Sequence, residues 1–97
     1  MPARVVFTPL AAADVAWLRA WLSQAGAGPR AKAMARRLLA AARDLGETHA
    51  RHPADPYREG CRQLVVDGHV ISYRVRQLPG EAVVFVERVF GPGQERR

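Results

Sequence analysis

One cysteine, one lysine and no long apolar run set the first limits on this chain of 97 residues. The single cysteine, Cys61, excludes a disulfide within the chain and favours a reducing compartment. No stretch approaches the roughly 18 uninterrupted apolar residues of a membrane span. The start MPARVVF lacks the apolar block and the cleavage site of a signal peptide. We therefore expect a cytoplasmic protein.

The sequence also lacks the motifs that carry most catalytic and metal chemistry. It has no phosphate-cradling glycine loop, no His-Glu-x-x-His pair and no nucleophile elbow. The spacing of the potential zinc ligands fits no common closed site; these are His49, His52, Cys61 and His69. The sequence therefore predicts neither a bound metal nor a cofactor.

Negative charge is scarce. Nine acidic residues stand against fifteen basic ones, which gives a net charge of +6 and a pI near 11.0. Every basic residue except Lys32 is an arginine, and arginine suits bidentate contacts with phosphate or carboxylate. Such a positive field favours a polyanionic partner, either nucleic acid or an acidic protein segment. A genome biased towards Ala, Gly, Pro and Arg would give the same composition.

A short strand and a helix are predicted at the start of the chain. Residues 3–7 are expected to be extended, and Thr8 is a good N-cap with Pro9 at the first helical position. A helix from about 9 to 24 then carries an apolar stripe at helical spacing, formed by Leu10, Trp17, Leu18, Trp21, Leu22 and Ala25. We expect both tryptophans to lie in the core, and the alternative is a groove that binds a partner.

A second helix is predicted to start at Pro29, after the turn AGAGP ends the first one at Gly26. Its apolar face is formed by Ala31, Met34, Ala35, Leu38, Ala42 and Leu45, and its opposite face carries Lys32, Arg36 and Arg43. The short link predicts an antiparallel helical hairpin. The segment 46–59, with two prolines, two histidines and little apolar material, is expected to be an ordered loop.

Three strand-like runs follow and predict a meander. The pair Asp67-Gly68 predicts a two-residue hairpin in which Val66 lies opposite His69. The same register places one side of the sheet under the helices, namely Arg62, Leu64, Val66, His69, Ile71, Tyr73 and Val75. We call the other side the second face, and it collects Cys61, Gln63, Val65, Val70, Ser72, Arg74 and Arg76.

Arg62 falls opposite Tyr73 on the helix side of the sheet. A structural role is expected for it, either stacking on the tyrosine ring or pairing with Glu59 or Glu87. A catalytic role is the alternative.

The second face is expected to be an open basic platform because it carries Arg74 and Arg76. Arg74 either meets an acidic partner or the target, or it is a solvated charge. The whole chain is expected to form one domain, 1–97. Its last part, 91–97, is expected to be a flexible basic tail.

This order of elements, together with a few short motifs, resembles the ParE/RelE superfamily of bacterial toxins. The motifs are Arg62, the run Gly68-His69-Val70-x-x-Tyr73-Arg74-Val75, and Arg88-Val89. The resemblance covers nearly the whole chain and is closer to ParE. It implies an α+β fold of order β-α-α-β-β-β, with a helical hairpin packed on one face of a small, mainly antiparallel sheet.

The resemblance implies two different activities. ParE-like toxins inhibit DNA gyrase and are neutralised by a small antitoxin whose C-terminal segment wraps around them, whereas RelE-like toxins cleave mRNA in the ribosomal A site. Cleavage through the 2′-hydroxyl needs a base, an acid and arginines that stabilise the developing charge. In place of the ionisable groups of RelE-like chains, this sequence has Gln63, Val65 and Gly91.

The sequence therefore predicts a ParE-like toxin of a type II toxin–antitoxin system, with no catalytic residue. Its expected partners are an acidic antitoxin, with which it would form a hetero-oligomer, and DNA gyrase. The expected partner or target contacts are Arg62, Arg74, Arg76, Arg88 and Arg96. The alternatives are a RelE-like ribosome-dependent endonuclease and a small basic nucleic-acid-binding domain without toxicity.

Overall fold

A four-stranded sheet carries two helices on one face in the computed structural model, which describes residues 2–24, 26, 28–94 and 96. The elements are β1 (Arg4–Phe7), α1 (Pro9–Leu22), α2 (Gly28–Thr48), β2 (Arg62–Val66), β3 (His69–Leu78) and β4 (Glu81–Phe90). The strand order is β1-β4-β3-β2, with β1 parallel to β4 and the other neighbours antiparallel. The predicted α+β fold is confirmed. Within the described ranges, neither helix is long and apolar enough to cross a membrane.

The turn between β2 and β3 sets the register of the sheet. Asp67 and Gly68 have φ angles of 47° and 81°, the left-handed pair that a tight hairpin turn requires. As predicted, Val66 pairs with His69 and Arg62 pairs with Tyr73. Because side chains alternate along a strand, this register also decides which residues face the helices.

The core lies between the helices and the predicted face of the sheet. It is formed by Ala11, Leu18, Met34, Leu38, Ala42 and Leu45 of the helices, and by Ile71, Tyr73, Val84, Val86 and Val89 of the sheet. The Tyr73 hydroxyl donates to the carbonyl oxygen of His49, so the one polar atom of this buried ring is satisfied. Burial raises the pKa of Tyr73 to about 12.

The start of α1 continues the hydrogen bonding of β4 beyond the end of β1. The N–H of Thr8 donates to the carbonyl of Val86 at 3.0 Å, and its hydroxyl donates to that of Glu87 at 3.1 Å. A carboxylate oxygen of Asp14 then accepts the N–H of Val89 at 2.8 Å. These side chains satisfy a strand edge that would otherwise present unpaired backbone groups.

Two helix boundaries differ from the prediction. α1 ends at Leu22, and α2 continues into the segment that was predicted to be a loop, as far as Thr48, with a 3-10 turn after it. The reason is tertiary: the carbonyl of Gly46 accepts the N–H of Ala3 at 2.8 Å, and Gly46 is packed so closely there that a Cβ would strike the Ala3 carbonyl. These contacts override the poor helix propensity of glycine.

The prediction that Trp17 and Trp21 belong to the core is wrong. They are 58% and 57% exposed, respectively, and the core side of α1 is formed instead by Ala11 and Leu18. The apolar stripe read from the sequence therefore combines two sides of the helix. Ala25, the last member of that stripe, lies outside the described residues.

Replacing Thr8 with valine should destabilise the fold. The Thr8 hydroxyl accepts the N–H of Ala11 as the N-cap of α1 and also donates to Glu87, so valine would leave both groups unpaired. We expect a loss of about 1 to 2 kcal/mol, the upper part of the usual range for an N-cap. Urea unfolding followed by circular dichroism would measure it.

The matched control is Thr48→Val. The Thr48 hydroxyl donates only to the carbonyl of Asp44 within its own helix, at an exposed position. We expect a change within about 0.5 kcal/mol for this variant. Equal losses for Thr8→Val and Thr48→Val would contradict the role given to the contact between α1 and β4.

Candidate functional site

The second face of the sheet is covered at one end by the loop that precedes β2. The N–H of Asp55 donates to the carbonyl of Cys61, and the N–H of Gln63 donates to that of Pro53, both at 2.9 Å. Ala54 and Arg62 form an isolated bridge. The loop is therefore paired with the β2 edge, and this pairing carries the Asp55 side chain over the sheet.

The carboxylate of Asp55 is fully buried. One oxygen accepts the N–H of Tyr57 at 2.9 Å, which is the turn that an aspartate side chain forms with the residue two places on. The other oxygen accepts the hydroxyl of Ser72, itself fully buried in β3, at 2.6 Å. Burial alone raises the pKa of the Asp55 carboxyl, but bonds from Ser72, Tyr57 and Arg96 outweigh this effect and hold the pKa below its usual value.

Arg96 is the third group bound to this carboxylate. Its Nη2 lies 2.5 Å from Asp55 Oδ2, and its Nη1 donates to the amide oxygen of Gln63 at 2.8 Å. The guanidinium carbon lies 4.6 Å from the ring centre of Tyr57 and 4.8 Å from that of Phe90. We call the set Asp55, Tyr57, Gln63 and Phe90 the arginine pocket.

At Arg96 the structure departs from the expected loose tail, because this side chain is only 12% exposed. The chain reverses at Gly91 and Gln94: the N–H of Gln94 donates to the carbonyl of Gly91, and the Gln94 side-chain oxygen accepts the N–H of Gly91. This turn directs Arg96 back over the second face. Glu95 and Arg97 lie outside the described residues.

Arg74 is also held by neighbours and is not free on an open platform. Its Nε donates to Glu87 at 3.2 Å, and its Nη2 donates to the carbonyl of Glu59 at 3.3 Å. Gly60 permits this approach, since a Cβ there would lie 2.6 Å from the guanidinium. The expected basic platform is therefore partly neutralised.

Arg88 binds α1 to the last part of the sheet. Its guanidinium makes two bonds to the carboxylate of Asp14, at 2.8 and 3.1 Å, and it also lies over the ring of Phe90. The bonds from Asp14 raise the pKa of Arg88 further above its usual value, so this arginine stays charged. Its role in the structure is to hold the helix against β4.

Arg62 and Arg76 are the two exposed members of the predicted set. Arg62 donates to the carbonyl of His52 at 2.6 Å, and neither expected carboxylate partner is bound to it. Arg76 takes part in none of the ion pairs found within the described part of the chain. The five arginines therefore differ in exposure and in hydrogen-bond partners, although Arg88 and Arg96 both contact the ring of Phe90.

The two exposed tryptophans of α1 line an open groove together with the turn after β4. We call it the α1 groove, and its lining is Trp17, Leu18, Trp21, Leu22, His69, Gly91, Pro92, Gly93 and Gln94. His69 is 5% exposed at its base, and its Nδ1 has no hydrogen-bond partner within the described residues. In the described ranges, no group of three His, Cys, Asp or Glu side chains could hold a metal ion.

Sequence reasoning missed Asp55 and Tyr57. A local signal for part of the pocket was present, because Asp-Pro favours a turn in which the aspartate accepts a backbone N–H two residues on. The pairing of Asp55 with Arg96 joins residues 41 positions apart and has no local signal.

Two solved toxin–antitoxin structures have a similar architecture. The chain is similar to one in the chromosomal ParDE system from P. aeruginosa, with a TM-score of 0.75 and 15% identity, over 93% of this chain and 96% of that one. It is also similar to one in the complex RelBE2 from Mycobacterium tuberculosis, with a TM-score of 0.67 and 22% identity, over 94% and 99%. At these identities the likeness shows a shared fold.

The family follows from the sequence itself. Residues 5–94 match the model of the ParE toxin of type II toxin–antitoxin systems, parDE, and the chain belongs to this family. Among curated proteins, no sequence matches significantly. The predicted class, a ParE-like toxin component of a type II toxin–antitoxin system, is confirmed.

Asp55 should make the stability of the fold depend on pH. Its folded pKa lies below the unfolded value of about 3.8, so its contribution is present above that value and is lost as pH falls through the folded pKa. Asp55→Asn should remove this part of the dependence and cost about 3 kcal/mol at pH 7, because a buried partner is lost. Urea unfolding between pH 2 and 7 would measure both effects.

Ser72→Ala removes one of the donors to the Asp55 carboxylate and should give an intermediate curve. A curve for Asp55→Asn that runs parallel to the wild-type curve at every pH would contradict the assignment.

Proposed function

We propose that this toxin acts by inhibiting DNA gyrase in the cytoplasm and that a cognate antitoxin of acidic character neutralises it. The support for gyrase is the ParE match over residues 5–94, joined with one observation on the second face. Two carboxylates of the described residues approach that face, Asp55 and Glu87, and each is bound to an arginine. A surface built in this way suits binding better than proton transfer.

The ribonuclease alternative has weaker support. Gln63 cannot act as an acid or base and its amide already binds Arg96, Val65 is an exposed apolar residue, and Gly91 has no side chain. The absence of a base and of an acid would each lower the cleavage rate by roughly two to four orders of magnitude. Arginines alone could still hold a phosphate but would leave little turnover.

The predicted arginines divide into two groups in this proposal. Arg62, on β2 at the helix side of the sheet, and Arg76, on the second face, are exposed and are the proposed contacts with the target. The remaining members, Arg74, Arg88 and Arg96, keep the surface in shape through their carboxylate partners. About a third of the Arg74 side chain is still exposed to solvent, so it can add a weaker contact with the target.

For the antitoxin we propose the α1 groove as the principal binding site. Trp17 and Trp21 are large, exposed and adjacent, which is the usual composition of an interface centre. The net charge of +6 favours an acidic partner and would speed its association. The similar solved structures are toxin–antitoxin complexes, which supports a partner of this kind.

Inducing the chain in a bacterial host should reduce plasmid supercoiling and leave ribosome-bound message intact. Arg76→Ala should weaken the inhibition by about ten-fold. Such a change corresponds to a loss of about 1.4 kcal/mol of binding free energy, which we expect when one exposed contact with a charged target is removed. Supercoiling of purified DNA by gyrase, titrated with the toxin, would give the inhibition constant.

Arg36→Ala is the matched control, since it removes an exposed arginine of α2 with the same change of charge. Equal effects of the two variants would mean that general charge and not the sheet surface acts on gyrase. Codon-position cuts in message with unchanged supercoiling would reject the gyrase proposal in favour of the ribonuclease.

Replacing both tryptophans, Trp17→Ser and Trp21→Ser, should weaken antitoxin binding at least 100-fold with little change in stability. Two exposed aromatic anchors of an interface centre each contribute about 2 kcal/mol or more. The partner would be the product of the reading frame next to the toxin gene, and calorimetry would measure its affinity.

Ala12→Ser, at an exposed position of α1 outside the groove, is the control for these tryptophan variants. Unchanged affinity of the double variant would place the antitoxin elsewhere on the surface.

A further inference from the structure

We propose that the arginine pocket is an exchangeable binding site for a guanidinium group, filled in the free chain by its own Arg96 and open to an arginine side chain of a partner protein. The site is formed by Asp55, Tyr57, Gln63 and Phe90, each of which contacts the guanidinium group. This inference does not depend on which cellular target the toxin has.

The pocket is organised by contacts that do not involve Arg96. The Asp55 carboxylate is fixed by the N–H of Tyr57 and by the hydroxyl of Ser72. The N–H of Gln63 is bound to the carbonyl of Pro53, which fixes the backbone that carries its amide. An empty pocket would therefore keep the Asp55 carboxylate in place and hold the Gln63 side chain at a fixed point on the backbone, as a site for an incoming ligand requires.

The geometry selects guanidinium over ammonium. Two acceptors, Asp55 Oδ2 and Gln63 Oε1, bind different nitrogens of one planar group. The rings of Tyr57 and Phe90 both lie within 5 Å of its carbon, a distance at which a planar cation stacks. A lysine ammonium is a compact point charge with a single nitrogen, so it offers neither two nitrogens to these acceptors nor a planar face to stack on the rings.

One atom of the bound guanidinium group is left unsatisfied. The Nε of Arg96 is buried and has no hydrogen-bond partner within the described residues. A buried donor without a partner carries a desolvation cost, and this cost reduces the net binding free energy of Arg96 in the pocket. Arg96 is therefore an imperfect occupant, and an arginine that approaches from another chain, with a different direction of its stem, could satisfy that donor and displace it.

The link between Arg96 and the sheet permits exchange. Five residues, 91–95, separate β4 from Arg96, and the turn formed by Gly91 and Gln94 is closed by two hydrogen bonds of its own. The same turn forms one wall of the α1 groove. A partner that occupies this groove therefore lies beside the segment that carries Arg96, where a tethered arginine would have a high effective concentration.

The test uses Arg96→Ala of the full chain, with Nα-acetyl-arginine amide as the probe and Nα-acetyl-lysine amide as its matched control. The side-chain amide resonance of Gln63 in NMR spectra reports occupancy directly. We expect saturable millimolar binding of the arginine probe to the variant, at least about ten-fold tighter than binding of the lysine probe. Wild type should bind the arginine probe at least about ten-fold more weakly, because Arg96 competes from within the chain.

The second variant, Asp55→Asn together with Arg96→Ala, removes both charges and so leaves no buried charge unpaired. It should lose the preference for the arginine probe. If Arg96→Ala is unfolded, circular dichroism with and without 20 mM of each probe replaces the titration, and only the arginine probe should restore folding. No binding to Arg96→Ala, equal binding of the two probes, or equal binding to wild type would overturn the proposal.

Discussion

The buried carboxylate of Asp55 is the interaction on which the arrangement of the second face depends. It is the point where the loop before β2, strand β3 and the segment after β4 meet. A fully buried charge is tolerated only when its acceptor sites are filled by donors. Asp55 satisfies this condition with three donors from three different parts of the chain, so each part restrains the other two.

Few acidic residues are present, but their positions determine which parts of the surface carry the positive net charge. Asp14, Asp55 and Glu87 are bound to three arginines that would otherwise make the sheet surface basic. Four exposed basic residues that form no ion pair in the described ranges lie on α2, namely Arg30, Lys32, Arg36 and Arg43. Composition alone describes how much charge the protein has, whereas the pairing determines where a partner would meet it.

The sheet could be predicted from the sequence because its determinants are local. The pair Asp67-Gly68 decides the turn, and alternation then decides which side chains face the helices. The orientation of α1 could not be predicted in this way, since Trp17 and Leu18 are neighbours in sequence and both are apolar, yet only Leu18 is buried. Small Ala11 forms part of the core side, and the hydrophobic pattern gives such a residue little weight.

The functional surface was predictable only in part, for a related reason. The sequence indicated which arginines matter but not which carboxylates bind them. Those partners come from distant positions, as Asp14 does for Arg88. Ion pairs of this kind depend on the assembled fold and leave no periodic signal. Arg96 shows the limit most clearly, because composition favours a solvated tail and the contacts with two rings and a carboxylate appear only once the sheet exists.

The contact between α1 and β4 has a consequence for how the molecule opens. Thr8 joins the end of β1 to the start of α1 and binds the β4 backbone by both its N–H and its hydroxyl. If either β1 or α1 separated from β4, the hydrogen bonds of Thr8 would break and the β4 carbonyls that they satisfy would lose their partners. We therefore expect the first part of the chain to open as one cooperative unit, with slow amide exchange shared between the strand and the helix. Such a unit keeps the strand edge of a free toxin from pairing with another copy during brief fluctuations.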